Sequence, residues 1–195
     1  MILCVWTVGM DSSDNFEIIG VLMLRSKDKE TWLRAFRDKK LHLRELKRAD
    51  KRRISGRMLS LLRDGWKESD ALCIITHVKE VRSNIRRQVK KYIPSSKLEN
   101  TIRKAVFSIL LEEVKRRIGA ESFELNIDKE ITLLAKAYSP EIKYVVGGIS
   151  HLADIIAWSN LRRRDELRTR FKGAITEIII RDRLEEHLKR ILKIS

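Results

Sequence analysis

With 195 residues, of which 43% are hydrophobic and 35% charged, the chain carries enough apolar material for one well-buried domain. Its 42 Lys and Arg against 27 Asp and Glu leave a formal charge of +15, which points to a polyanionic partner, nucleic acid being the commonest. A thermophile surface is also rich in charge, but a balanced one would not leave that excess uncompensated, and no apolar run reaches the roughly 18 residues of a membrane span.

Residues 1–10 are a continuous apolar, β-branched run and predict a buried strand. The opening MILCVWTV is too short for the apolar region of a secretory signal and lacks a basic flank, so a cytoplasmic protein is expected. The turn cluster DSSDN (11–15) leads into FEIIGVLML (16–24), and the two runs predict an antiparallel hairpin with Asp11 and Asp14 at its end. Ordinary turn chemistry explains these acids without any site. Residues 26–37 follow with Ser26 as a cap and Trp32, Leu33 and Phe36 at helical spacing. Over 39–65, Leu43, Leu46, Ile54, Met58, Leu61 and Leu62 form an imperfect helical stripe opposite a basic face, with Gly65 as a stop. His42 and Glu45 share a face if that helix starts so early.

ALCIITHV (71–78) predicts a third strand. Cys73 within it, like Cys4, has no CxxC partner and reads as a buried thiol in a reducing compartment. A basic helix over 79–92 and a longer one over 97–118, ending at Gly119, are separated by Pro94. Residues 121–130 alternate Phe123, Leu125 and Ile127 against Glu124, Asn126 and Asp128, the pattern of a strand, and 131–138 look helical. A short strand over 142–146, a Gly147–Gly148 turn and a helix with Ser150 as N-cap come next. Inside that helix Asp154 stands among Leu152, Ile155, Ile156 and Trp158. An ionised carboxylate there needs a cation, a donor or water. A salt bridge on a wetter side, the helix dipole and a divalent metal would each meet that need. The segment 161–195 is densely charged and ends in an amphipathic run (174–194) read as a final helix. With no repeat or linker, residues 1–195 read as one domain, with 161–195 an appended C-terminal helical element.

Three acids thus fall at comparable places: Asp11 beside the first strand, Asp128 at the end of a later one, Asp154 in a late helix. Adjacent strands of one mixed sheet with a helix packed across them would bring the three together, as divalent metals require of hard oxygen ligands. This arrangement resembles the ribonuclease H-like (retroviral-integrase-like) superfamily. More narrowly, it is similar to a largely uncharacterised family with an early Asp-Glu-Ser-Gly and a late Leu-Gln-x-Ala-Asp signature. HLADIIAW (151–158) is the most specific match, FEIIGVLML matches the glycine strand, FELNID the middle aspartate, and LHLREL (41–46) loosely the helical entry. MDSSDN (10–15) lacks the Glu and Gly of the early signature, which leaves Asp11 and Asp14 both open as first ligand, and His151 stands in place of Gln.

The resemblance implies an α/β fold, a ribonuclease H-like mixed sheet of about five strands flanked by helices. It implies a nuclease in which Asp11, Asp128 and Asp154 hold Mg²⁺ or Mn²⁺, with Glu45, Asp14 or His42 as ancillary residues. Basic groups at Arg82, Arg86, Arg87, Lys90 and Lys91, with Arg162, Arg163 and Arg164, are expected to contact a nucleic-acid backbone. The other reading is a non-catalytic nucleic-acid or protein-binding module on the same fold.

Overall fold

The structure, a computed structural model, describes residues 5–13, 16–36, 43, 46–89, 93–127 and 142–194. The first two apolar runs form the expected hairpin. Strands β1 (Trp6–Ser13) and β2 (Ile18–Arg25) pair antiparallel from Trp6↔Arg25 to Ser13↔Ile18. Strand β3 (Asp70–Ile75) pairs antiparallel with β2, while β4 (Phe123–Ile127) runs parallel to β1 on its other side. Strand β5 (Lys143–Val146) is parallel to β4, and β6 (Thr176–Ile179) is parallel to β3. Among the described residues this gives a six-stranded mixed sheet in the order β5-β4-β1-β2-β3-β6.

Period-two alternation divides the apolar residues between the two faces. Val8, Met10, Ile19, Val21, Met23, Leu72, Ile74, Leu125 and Ile127 face helices α3 (Val78–Gln88) and α4 (Ser95–Ile118). Ile18, Leu22, Leu24, Ala71 and Cys73 face α1 (Lys29–Ala35), α2 (Arg48–Arg63) and α5 (Ser150–Arg162). The short helix α6 (Arg164–Arg168) follows α5 directly. Gly119, with φ +68°, ends α4 as its sequence position suggests. Cys73 is fully buried, and burial, aided by the nearby Glu177 carboxylate, pushes its thiol up to about 12. Cys4 lies outside the described residues, as does the helical reading of 131–138.

Two expectations are corrected. The C-terminal segment is not an appended helical element. Its β-branched residues add β6 to the sheet beside β3, and helix α7 (Arg181–Leu192) then buries Leu184 and Leu188 in the α3–α4 core. The single amphipathic helix read over 174–194 overlooked this, because a four-residue strand is hidden in a stretch of mixed polarity. Ser150 is the first residue of α5, not its cap. Ile149 occupies the cap position and no side chain caps the helix there.

Candidate functional site

Helix α5 touches the sheet backbone directly. A Cβ built on Gly9 would lie 2.6 Å from the Ile149 carbonyl oxygen, and one on Gly20 would lie 2.0 Å from that of Ala153. Any side chain at either position would lift the helix from β1 and β2. Leu152, Ala153, Ile155, Ile156 and Ala157 are wholly inaccessible as a result. The face of α5 left open carries His151, Asp154, Trp158, Leu161 and Arg162.

This seating brings two of the expected acids to one side of the sheet. Asp11 pairs with Gly20, the residue under Ala153, and alternates with Gly9 toward α5. Asp154 follows Ala153 in sequence, and both carboxylate residues are half-buried. The β1–β4 pairing ends at Met10↔Ile127, the residues that immediately precede Asp11 and Asp128. Asp128 itself, with Asp14, His42 and Glu45, lies outside the described residues. Among the described residues no group of three or more His, Cys, Asp or Glu is placed to hold a metal. What is described is therefore two carboxylates on one side of the sheet, fewer than the oxygen ligands Mg²⁺ or Mn²⁺ takes.

The start of α5 is anchored by β4. Asn126 is fully buried; its Oδ1 accepts from the Ile149 amide at 3.2 Å and its Nδ2 donates to Glu124 Oε1 at 3.0 Å. Gly147 N donates to the Ile127 carbonyl at 3.0 Å, tying the turn to the end of β4. Gly148 has φ +64°, and any Cβ there would meet Asn126 Oδ1 at 1.9 Å. Lys29 and Lys143 reach Glu124 at 2.9 and 2.6 Å. Burial would raise the Glu124 pKa, but bonds from Lys143, Lys29 and Asn126 outweigh it and bring the carboxyl to about 2. The sequence pattern displayed Glu124 and Asn126 as the polar side of a strand. Their role in positioning α5 had no signal beyond that alternation.

The expected basic face separates into two. Helix α3 buries Val81 and Ile85 in the core on the opposite side of the sheet from α5, so Arg82, Arg86 and Arg87 stand away from Asp154. Arg82 pairs with Glu99 at 2.6 Å, Arg86 donates to Ser95 Oγ at 3.0 Å, and Arg87 donates to Asn84 Oδ1 at 2.6 Å. Lys90 and Lys91 lie outside the described residues.

Arg163 is a correction of another kind. It is buried, donates to the Arg52 carbonyl and to Ser55 Oγ at 3.0 Å each, and clasps Glu166. Ser55 and Ser159 share a hydrogen bond of 2.6 Å beside it. A buried guanidinium needs such partners, so Arg163 ties α2 to α5 and does not face a ligand. Arg164 is exposed and bonds Glu177 at 3.0 Å.

Comparisons with known proteins find no matching family model, curated protein or solved structure.

Of the three consecutive arginines, Arg162 alone lines the cleft between α2 and α5. That cleft, of about 410 Å³, is walled by Arg48, Lys51 and Arg52 on α2 and by Trp158 and Arg162 on α5. Arg52 shares Glu166 at 3.4 Å; among the described residues no carboxylate pairs with Arg48, Lys51 or Arg162. The α2 cations were not singled out from sequence, where their helix was one basic stretch among several. No helix among the described residues is long and apolar enough to cross a membrane.

Proposed function

We propose that this protein is a metal-dependent nuclease of ribonuclease H-like type, acting on DNA or RNA in the cytoplasm. One observation carries the reading: α5, seated on Gly9 and Gly20, has Asp154 on the same side of the sheet as Asp11, and Asp11 follows Met10, whose partner Ile127 precedes Asp128. Asp11, Asp128 and Asp154 would hold Mg²⁺ or Mn²⁺, with Asp14, His42 or Glu45 as helpers. The ion would supply Lewis-acid activation of a phosphodiester and its attacking water. The chain's own part is to hold the acids on rigid elements and to keep a cationic approach to them.

Cleavage of mixed single- and double-stranded DNA and RNA, with Mg²⁺, Mn²⁺ or EDTA, tests the proposal. Wild-type protein should cut only with metal, and Asp154→Asn should abolish cutting while leaving nucleic-acid binding intact or improved, since one repelling charge is gone. Mg²⁺ should raise the melting temperature of the wild type and not of Asp154→Asn. Binding without cleavage or metal-dependent stabilisation would establish the second reading, a non-catalytic binding module, which the cationic cleft favours.

A further inference from the structure

Asp154, Trp158 and Arg162 stand at four-residue intervals on the open side of α5, so carboxylate, indole and guanidinium follow one another about 6 Å apart along the helix axis. The last two belong to the cleft whose opposite wall is Arg48, Lys51 and Arg52. An aromatic ring inside a cationic groove has a specific use. Cations hold a phosphate backbone, while the ring takes the flat face of a base. A duplex keeps its base faces stacked inside and contacts proteins through phosphates and groove edges, so it offers nothing for the indole. Another cavity, of about 190 Å³ between α4 and α7 and lined by Glu112, Arg183, Glu186 and Arg190, suits a polyanion poorly, because Arg183 is already paired with Glu112 and Glu113.

From this juxtaposition we infer that the α2–α5 cleft is a single-strand track: it stacks an unpaired base on Trp158, holds the flanking phosphates with Arg48, Lys51, Arg52 and Arg162, and leads the strand toward Asp154. The Ser55, Ser159, Arg163 and Glu166 network keeps the two walls at a fixed separation, so the track is formed before the strand arrives. The inference rests on the nucleic-acid reading above but not on cleavage.

Fluorescence anisotropy in EDTA tests it, with labelled oligothymidylate, oligouridylate and a blunt DNA duplex. Single strands should bind more tightly than the duplex, and the two oligomers tell DNA from RNA. Trp158→Ala should weaken single-strand binding roughly five- to a hundredfold, the range for loss of one stacked base, and leave duplex binding unmoved. Trp158→Phe, which keeps a ring, should restore most of the affinity. Lys51→Glu should weaken both and flatten the salt dependence, by about 0.7 in log–log slope per lost phosphate contact on single strands. Lys115→Glu makes the same charge change on α4, across the sheet, and should alter neither.

Equal losses in Trp158→Ala and Trp158→Phe, tighter binding of duplex than of single strands, or an effect of Lys115→Glu equal to that of Lys51→Glu would overturn the inference. Single-strand binding with this pattern but no metal-dependent cutting overturns the nuclease reading and leaves the track. Cutting with binding indifferent to Trp158 does the reverse.

Discussion

Gly20 sits where helix α5 bears on the sheet, and its replacement by Ala isolates that contact. The added Cβ would lie 2.0 Å from the Ala153 carbonyl oxygen, with the Ala157 amide nitrogen at 3.0 Å, both backbone atoms of one helix. Ordinary contact begins at 3.4 Å, so α5 must retreat by about 1.4 Å or β2 must bend away by as much. Such a retreat opens a gap beneath Leu152, Ile155 and Ile156, all fully buried, and a gap of about 0.5–1 Å already forfeits a quarter to a half of each dispersion contact. Overpacking of a dense core costs about 1–3 kcal/mol, and a clash with backbone belongs at the upper end. Ala at a strand position of ordinary φ returns about 0.4–1 kcal/mol by restricting the unfolded chain. The net loss is about 2–2.6 kcal/mol, or roughly 4–10 °C in melting temperature for a domain of this size. Gly9→Ala, with the Ile149 oxygen at 2.6 Å, should cost about half as much. Thermal melts followed by circular dichroism, with urea titration for the free energies, measure both. On the proposed nuclease reading, Asp154 moves with the helix, so Gly20→Ala should also lower cleavage by on the order of a hundredfold at temperatures where it is fully folded. An unchanged melting temperature for Gly20→Ala, or a larger effect at Gly9, would refute the seating argument.

Glu124 should confer acid sensitivity. Its carboxyl is held near 2 in the folded protein against an ordinary value of 4.5, so its ion pairs contribute about 3 kcal/mol above the unfolded value, and that contribution is lost as pH falls from about 4.5 through 2. Glu124→Gln should therefore flatten the pH dependence of the melting temperature in that window; an unchanged slope would show that its pairing with Lys29 and Lys143 is inconsequential in solution. Arg163→Met should destabilise by about 2–3 kcal/mol, below the range for a fully buried pair because Glu166 is 32% exposed, and should weaken single-strand binding by loosening the cleft walls. Wild-type stability in urea with unaltered anisotropy would mean that Arg163 does not brace α2 against α5.

The continuous apolar runs over 1–10, 16–24 and 71–78 made the first three strands legible from sequence, because a strand with two covered faces requires hydrophobic side chains on both, and β4 was legible from its period-two alternation. The same held for α5, whose apolar residues recur with the helical period and leave Asp154 conspicuous. Strand β6 was not legible: four residues of mixed polarity become a strand only because β3 presents an unpaired edge to them. Nor could local pattern tell one arginine from the next. Arg162, Arg163 and Arg164 are identical in side chain and adjacent in chain, yet Arg162 ends α5, Arg163 sits in the non-helical break at φ −133° and Arg164 begins α6, so one reaches the cleft, one the interior and one Glu177. The basic residues of α3 were expected to meet nucleic acid and those of α2 were not singled out, and only the burial of Val81 and Ile85 on the far face of the sheet separates α3 from the acids. Sequence determined which residues bear charge and which must be buried, since composition and periodicity are local properties. Which charges meet was decided by the sheet order and by the two glycines that let α5 lie against the strand backbone, for proximity between residues a hundred or more apart depends on packing that no local pattern carries.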